Sequence, residues 1–313
     1  MYHSVFIGEV MVELPMTESN NVTLNVAGDT FNSAIYFKRV FNESQVSYLT
    51  AIGTDKFSQR ICHFAEEEGI DSSLMLKHRN RLPGLYAIET DSQGERSFHY
   101  WRDRSAAKDL MNLAFNHGVT LDNADLIYFT GITLAVLCAA QRQMLLDFLE
   151  ESKAKGATIA FDPNYRPLLW EGLEDAVYWT QKAYSLSDIV FPGLEDHTAL
   201  FGHASIPEIV DFFSSMSPQE IILKDGVKPV RVVTPFEDTS VSIVPVTDVV
   251  DTTSAGDGFS AGYLACRAKK NVSTHAVEVA AKLAGTIIRH PGAIIPRQVM
   301  DSNHVDLLSS PVG

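Results

Sequence analysis

Two hydrophobic patterns alternate along the 313-residue chain. Short apolar runs rich in Val, Ile and Phe are typical of buried strands, and apolar residues spaced three or four apart are typical of amphipathic helices. The predicted strands are 4–12, 23–26, 46–52, 74–77, 85–90, 96–101, 125–130, 158–162, 189–191, 220–224, 230–234 and 240–244. The predicted helices are 29–41, 56–68, 135–155, 173–184, 195–201, 207–216, 259–269 and 274–290.

From residue 125 onward, strands and helices alternate regularly. This order indicates βαβ units, a parallel sheet and the α/β class. Because such sheets bind ligands at the carboxyl ends of their strands, the segments Asp162–Pro167 and Lys224–Gly226 are well placed to line a site. Earlier in the chain, the turn residues Asp91–Glu95 join two strands and predict a β-hairpin.

The composition narrows the class of protein. With 45% hydrophobic residues the chain can build a substantial core, and its net charge of 25 − 39 = −14 disfavours binding to nucleic acid or to an acidic membrane. Residues 1–14 lack the basic start of a signal peptide, and no apolar run reaches the length of a membrane span. Three distant cysteines favour buried, reduced thiols, so we expect a cytoplasmic protein.

Residues 250–262 form a stretch of small residues that leads into a predicted helix at Phe259. The unpaired N–H groups and positive dipole end of a helix start suit an anion, so Ser254–Asp257 is interpreted as an anion hole for a phosphoryl group. A carboxylate there repels phosphate, and proton acceptance from an attacking hydroxyl explains the presence of Asp257. The alternative is that Thr253 and Asp257 only cap the helix.

A second motif lies at residues 27–34. An acid and an amide at the entry of a helix suit hydrogen bonding to neighbouring hydroxyls of a sugar, and Gly28, Asp29 and Asn32 are assigned to that role. The alternative is that Asp29 or Thr30 is simply the N-cap of the helix.

Together these motifs resemble the two signatures of the ribokinase-like (PfkB) carbohydrate kinases. Three positions depart from the family pattern: Ala27 replaces the first Gly of the sugar motif, Ser254 replaces a Gly, and Pro192 replaces the Asn of the N-x-x-E element. A non-Gly residue at 254 argues against a positive φ there. The resemblance implies a three-layer αβα sandwich with a mainly parallel sheet, in one domain spanning 1–313. A small β-strand lid is expected at about 13–27 and 84–103.

The resemblance also implies ATP and Mg²⁺ as cofactors. The γ-phosphate is then expected over the N–H groups of Ala255, Gly256 and Asp257, with Asp257 as the base. The remaining nucleotide candidates lie at strand ends and at the helix start: Asn164, Arg166, Lys224, Gly226, Ala255 and Gly256. The resemblance further implies Glu195 as a ligand of Mg²⁺, and Asp251 and Thr253 as ligands of a monovalent cation such as K⁺.

Within the family, three segments are similar to the kinases of 2-keto-3-deoxygluconate, a sugar acid: 81–86, 100–102 and 164–170. Substrate contacts are therefore expected from Tyr86, Tyr100, Arg102 and Arg166, since a guanidinium is the natural partner of a carboxylate. Arg166 has a second interpretation, contact with an ATP phosphate.

Two other functions remain open. One is a fructokinase or other neutral-sugar kinase, and the other is a non-catalytic sugar-binding regulator. No G-x-x-x-x-G-K-[ST] motif is present, so a P-loop kinase is excluded. Homo-oligomers formed through the lid are also expected from the resemblance.

Overall fold

The computed structural model of the protein describes residues 1–16, 24–90 and 96–304. Within these ranges the strands are β1 (His3–Ile7), β2 (Met11–Met16), β3 (Asn25–Ala27), β4 (Gln45–Ile52), β5 (Met75–Lys77), β6 (Gly84–Thr90), β7 (Arg96–Trp101), β8 (Leu126–Thr130), β9 (Thr158–Asp162), β10 (Ile189–Val190), β11 (Glu220–Leu223), β12 (Val230–Val233) and β13 (Asp238–Val241).

The helices alternate with these strands, as the pattern predicts. They are α1 (Asp29–Val40), α2 (Lys56–Glu67), α3 (Leu110–Asn116), α4 (Gly131–Val136), α5 (Ala139–Ala154), α6 (Leu173–Leu186), α7 (Leu194–Phe201), α8 (Ile206–Phe213), α9 (Ala255–Ala268), α10 (Ser273–Ile287) and α11 (Arg297–His304). In the described ranges, no helix is long and apolar enough to cross a membrane.

The larger sheet has nine strands in the order β13-β12-β11-β10-β9-β8-β1-β4-β5. The seven strands from β11 to β5 are parallel, and β12 and β13 add antiparallel at one edge. After β1 the chain builds outward through β4 and β5, then returns to the other side of β1 with β8. This reversal opens a crevice beside β1 at the carboxyl ends of the strands.

Helices cover both faces of this sheet, which confirms the predicted α/β class and three layers. On one face, α1, α9 and α10 share a continuous apolar core with β1, β4 and β8. On the other face, a second core holds side chains of α3 through α8. The N-termini of α1 and α9 both lie at the carboxyl edge of the sheet, since their first turns contact each other there.

A second sheet has four strands, in the order β3-β2-β6-β7. The predicted hairpin is present as the antiparallel pair β6–β7, with Leu85 opposite Trp101 and Tyr86 opposite Tyr100. Its turn, 91–95, and the start of the predicted strand 23–26 lie outside the described residues. We call these four strands the lid.

Three predicted elements differ most from the structure, and α3 and α11 are absent from the prediction. The apolar run 4–12 is two strands, β1 and β2, in different sheets. The chain turns after Gly8, where a Cβ would stand 2.2 Å from the Thr30 hydroxyl. The predicted helix 135–155 is two helices, because residues 137 and 138 are extended. Cys138 at this break is exposed, so the expectation of buried thiols also fails for it.

The third boundary concerns the turn of small residues before α9. The helix predicted to begin at Phe259 begins four residues earlier, at Ala255. Asp257 therefore lies in the first turn of α9 rather than in the loop before it. The difference matters because the partial positive charge of a helix N-terminus acts mainly within that first turn.

Candidate active site at the carboxyl edge of the sheet

The predicted anion hole is an open helix start. Ser254 is the N-cap of α9, and its side chain makes no capping hydrogen bond. The N–H of Ala255 donates to the carbonyl of Thr252 at 3.2 Å, which removes Ala255 from the set of free donors. Within the described residues, no acceptor is recorded for the N–H groups of Gly256 and Asp257, so these two remain available to an anion.

The backbone of Ser254 contradicts the sequence-based expectation. Its φ is 65° and its ψ 9°, in the left-handed region that favours glycine. The turn therefore keeps the conformation expected for the family's Gly although the residue is Ser. For a residue with a Cβ, this conformation costs about 1–2 kcal/mol.

The carboxylate of Asp257 is half-buried and tied to α1. The Asn32 Nδ2 donates to Asp257 Oδ2 at 3.0 Å, and the Ser33 hydroxyl donates to the Asp257 carbonyl at 3.1 Å. The amide of Asn32 is oriented by Gly28, whose N–H donates to Asn32 Oδ1 at 3.3 Å. Asp257 is thus engaged by a side chain of α1 and does not cap its own helix, so the capping interpretation of Asp257 is wrong.

The environment of Asp257 makes it a suitable base. Burial and, next, the nearby charge of Asp29 raise the pKa of its carboxyl to about 7, although the hydrogen bond from Asn32 acts to lower it. A carboxyl with a pKa near 7 can be ionised at neutral pH and still accept a proton during a reaction.

Asp29 connects the two halves of the site. It is the first residue of α1, and the N-cap is Gly28, so neither Asp29 nor Thr30 is the cap. Asp29 Oδ2 accepts from the Thr130 hydroxyl at 2.5 Å and from Asn164 Nδ2 at 3.2 Å. A residue assigned to the sugar is therefore hydrogen-bonded to one assigned to the nucleotide. A Cβ at Gly28 would stand 2.3 Å from the Glu9 carbonyl, which explains the glycine without a ligand.

A second charged group lies at the ends of β9 and β11. Lys224 Nζ forms an ion pair with Asp162 Oδ2 at 2.7 Å, and that oxygen also accepts from the Ser260 hydroxyl at 3.0 Å. Asp196 lies close by, and burial together with the charge of Asp162 raises its pKa to about 6, against the opposing charge of Lys224. Gly226, the other nucleotide candidate of this segment, has a φ of 56° in the turn that follows.

The ion candidates occupy two different settings. Glu195 is exposed on the first turn of α7, and among the described residues no group of three or more His, Cys, Asp or Glu side chains forms a metal site. A nucleotide-bound Mg²⁺ needs only one or two carboxylates besides phosphates and water, so the residues fit that ion. Asp251 is buried, and its two carboxylate oxygens accept from the N–H groups of Thr253 at 2.9 Å and Gly292 at 2.7 Å.

The lid adds aromatic and basic side chains. Tyr86 and Tyr100 stack with their ring centres 5.6 Å apart, and the Tyr86 hydroxyl donates to Glu13. Arg102 is 8% exposed and forms an ion pair with Glu9, and its guanidinium also lies 5.8 Å from the centre of the Tyr100 ring.

Arg102 and Arg166 approach Tyr100 together. Burial raises the pKa of the Tyr100 hydroxyl, while the charges of Arg102 and Arg166 both lower it. Both guanidinium groups thus act on one phenol, although they lie 64 positions apart in the sequence (166 − 102). Arg166 is exposed, and among the described residues its recorded hydrogen bond is to the neighbouring carbonyl of Tyr165 at 2.9 Å, so it is accessible to a ligand.

Three residues of this site are absent from the sequence-based assignment: Glu9, Thr130 and Asp196. Thr130 ends β8, and the rule that ligands bind at the carboxyl ends of parallel strands, which selected the segment beginning at Asp162, applies equally to it. No sequence signal marks Glu9 as the partner of an arginine 93 residues away.

Comparisons with known proteins agree with this geometry. A family model described as "pfkB family carbohydrate kinase" matches residues 1–300. The 2-dehydro-3-deoxygluconokinase of Escherichia coli (strain K12) is 38% identical over 301 residues, which cover 94% of this chain and 97% of that protein. The fructokinase of Vibrio alginolyticus is 26% identical over 265 residues, covering 83% and 82%. The crystal structure of a 2-dehydro-3-deoxygluconokinase from Thermotoga maritima has the same fold, with a TM-score of 0.84, 18% identity and coverage of 96% and 97%.

The raised pKa of Asp257 predicts that this side chain destabilises the folded protein. Unfolding returns the pKa from about 7 to its ordinary 3.8, so the folded state loses stability as the pH rises through that window. At 1.36 kcal/mol per pH unit the ceiling is about 4 kcal/mol, and partial solvent exposure reduces our expectation to about 2 kcal/mol. Asp257→Asn should therefore raise the free energy of unfolding at pH 8 and leave it unchanged at pH 4, as measured by urea denaturation.

Asp55 provides a control of opposite sign. It caps α2, and although burial raises its pKa, hydrogen bonds from Ser58 and Phe57 lower it below its ordinary value. Asp55→Ala should therefore lower stability at pH 8 by ~1 kcal/mol, with the loss shrinking as the pH falls through the folded-state pKa. If Asp257→Asn destabilises the protein at pH 8 as Asp55→Ala does, the inference that the pKa of Asp257 is raised in the folded state is wrong.

Proposed function

The chain belongs to the pfkB family of carbohydrate kinases, and we propose that it transfers the γ-phosphoryl group of ATP to the 6-hydroxyl of 2-keto-3-deoxygluconate. The products are 2-keto-3-deoxy-6-phosphogluconate and ADP. The observation that carries the proposal is Asp257, a base with a pKa near 7 held by Asn32 beside the open start of α9. 2-Keto-3-deoxygluconate and 2-dehydro-3-deoxygluconate are two names for one sugar acid, so the proposed substrate is the compound in the name of the Escherichia coli relative.

In the reaction, the 6-oxygen bonds to the γ-phosphorus while the bond from that phosphorus to the β-bridging oxygen breaks. The hydroxyl proton moves to the carboxylate of Asp257, which later releases it to solvent. The free N–H groups of Gly256 and Asp257 face the negative charge on the transferring group, and donors placed in this way typically contribute about 2.7–4 kcal/mol each. The hydrogen bond from Asn32 keeps the accepting carboxylate in place.

The proposed binding site for the nucleotide and its ions is based on residues at the carboxyl ends of β9 and β11. Lys224, the turn at Gly226 and Asn164 support the proposal that ATP lies along these strand ends. We propose that Glu195 would help to hold Mg²⁺, which would supply positive charge to balance that of the phosphates. Asp251 and Thr253 remain candidates for a monovalent cation such as K⁺. ATP as donor agrees with the proposed cytoplasmic location.

The sugar acid is favoured by the basic residues around Tyr100. In a protein with a net charge of −14, a carboxylate must be recognised by local cations, and Arg102 and Arg166 act on the same phenol. The lower identity of the fructokinase relative makes that alternative weaker, and an Asp257 with the properties of a base argues against a non-catalytic regulator.

A substrate panel tests the activity directly. Purified protein should release ADP with 2-keto-3-deoxygluconate and much more slowly with fructose, gluconate or ribose, in an assay that couples ADP to NADH oxidation. Asp257→Asn should lower kcat by ~10²–10⁴-fold, because general bases typically contribute that much. Turnover of fructose at the highest kcat/KM of the panel would replace the sugar acid with the fructokinase alternative.

Arg102 should control selectivity for the acid. Arg102→Ala is expected to raise the KM for 2-keto-3-deoxygluconate by ~10–100-fold, since a charge-assisted hydrogen bond contributes about 1.5–3 kcal/mol. The KM for ATP and the slow turnover of fructose should change little. Arg104, exposed two residues later, gives the matched control, and Arg104→Ala should behave as the wild type. Equal losses on the acid and on fructose would remove Arg102 from carboxylate recognition.

The lid also supports the expected homo-oligomer. Its edge strand β7 has one free side in the described sheet, and Trp101 on this strand is 61% exposed. An edge strand with exposed aromatic residues is suited to pairing with a second copy. We propose that two chains associate through β7.

Charge on that strand should break the association. Trp101→Lys is expected to convert the oligomer to a monomer in sedimentation equilibrium, because lysine on an edge strand opposes pairing. Phe236→Lys serves as the control, since Phe236 is 99% exposed on the turn that joins β12 to β13. A monomeric wild type at 100 µM protein, or an unchanged mass for Trp101→Lys, contradicts the proposal.

A further inference from the structure

Ser254 carries two energetic costs that a glycine would avoid. Its φ of 65° lies in the left-handed region, which a residue with a Cβ adopts at a cost of about 1–2 kcal/mol. Its hydroxyl oxygen is buried and has no hydrogen-bond partner within the described structure. A buried polar group without a partner typically costs about 1–3 kcal/mol. Both costs fall on one side chain, at the turn that opens the anion hole.

The Asp257 carboxylate, three residues further on in the first turn of α9, is a candidate acceptor for this hydroxyl. Asn32 donates to Asp257 Oδ2, whereas no hydrogen bond to Oδ1 is recorded among the described residues. The geometry of the Ser254 hydroxyl falls short of a formed hydrogen bond, yet it is close enough to lower the pKa of Asp257. Asn32 and Ser254 are the two donors with that effect, and Ser254 is the only one on the same turn as the base.

We propose that Ser254 is a positioning residue whose hydroxyl donates to the Asp257 carboxylate and holds it ready to accept the substrate proton. The inference rests on the proposed kinase function. The backbone N–H of the turn would serve an anion equally well with glycine, so only the side chain accounts for the conformational cost. Residues held in sparsely populated conformations cluster at functional sites, where the surrounding structure maintains them.

The chemical consequence is a wider pH range for the base. A donor to the carboxylate stabilises the ionised form and is worth less once Asp257 has taken the proton. At neutral pH, where a carboxyl with a pKa near 7 is only partly ionised, each such donor increases the fraction of enzyme that is ready to react. Asn32 would then donate to one carboxylate oxygen of Asp257, Oδ2, and Ser254 to the other.

Two substitutions separate the hydroxyl from the backbone. Ser254→Ala removes the hydroxyl and keeps the left-handed conformation, and Ser254→Gly removes both costs. In both variants the acidic limb of the pH profile of kcat/KM should move up by about one pH unit, which corresponds to a hydrogen bond of about 1.4 kcal/mol. Activity two units below the limb should fall ~10-fold, and activity at pH 9 should stay within about twofold of wild type.

Ser217 supplies the matched control for the backbone. It also has a positive φ, 51°, but it is exposed and lies in the turn after α8, away from the site. Ser217→Gly and Ser254→Gly should both raise the midpoint of thermal unfolding, by ~1–3 °C, because each relieves a left-handed conformation. Only the substitution at 254 should move the pH profile.

The outcomes are distinct from those that test the function itself. An active wild type with an unshifted acidic limb in Ser254→Ala and Ser254→Gly overturns the role of the hydroxyl and leaves the kinase function intact. Equal losses at every pH also overturn it, since they indicate a contact with the phosphoryl group instead of the base. A wild type that releases no ADP with any sugar overturns the proposed function first.

Discussion

The site depends on the carboxylate of Asp257, which must ionise in surroundings that disfavour its negative charge. Burial and the nearby acids Asp29 and Asp162 all raise the pKa of Asp257, and within the described residues no cation is paired with it. Its charged form is supported by hydrogen bonds and by the first turn of α9. That balance is what a general base requires, because a carboxylate stabilised by a salt bridge would be too weak a base at neutral pH.

The packing of α1 against α9 makes this balance possible. Both helices begin at the carboxyl edge of the sheet, so Asn32 and Ser33 of α1 meet Asp257 directly. Asp29, at the start of α1, is hydrogen-bonded in turn to Thr130 on β8 and to Asn164 after β9. Groups from four elements therefore share one polar network across the crevice, and a shift of α1 would disturb the sugar side and the nucleotide side together.

The sequence predicts those parts of this arrangement that depend on interactions between residues close together in the chain, and misses those that depend on residues far apart. Local patterns give β9 its bounds at 158 and 162 and give α2 its start and its cap at Asp55, because hydrophobic period and capping act within a few residues. The split of 4–12 into two strands places them in different sheets, and at the break Gly8 packs so closely on Thr30 that a Cβ would stand 2.2 Å from its hydroxyl. The left-handed Ser254 is invisible to propensity, since tertiary contacts impose a conformation that serine disfavours. The Glu9–Arg102 pair joins residues that no local rule connects.

That pair also separates specificity from catalysis. Arg102 follows the lid strand β7, whereas Asp257 belongs to the α/β body, so the proposed roles assign the carboxylate and the reacting hydroxyl of the substrate to different parts of the fold. Glu9 offsets much of the charge of Arg102, and an arginine shared with a buried glutamate attracts a second carboxylate less strongly than a free one would. Arg166 is exposed, and its charge also lowers the pKa of the Tyr100 hydroxyl, so it adds a second positive charge near the expected carboxylate. Under the proposed function, discrimination between a sugar acid and a neutral sugar therefore depends on Arg102 and Arg166 acting together.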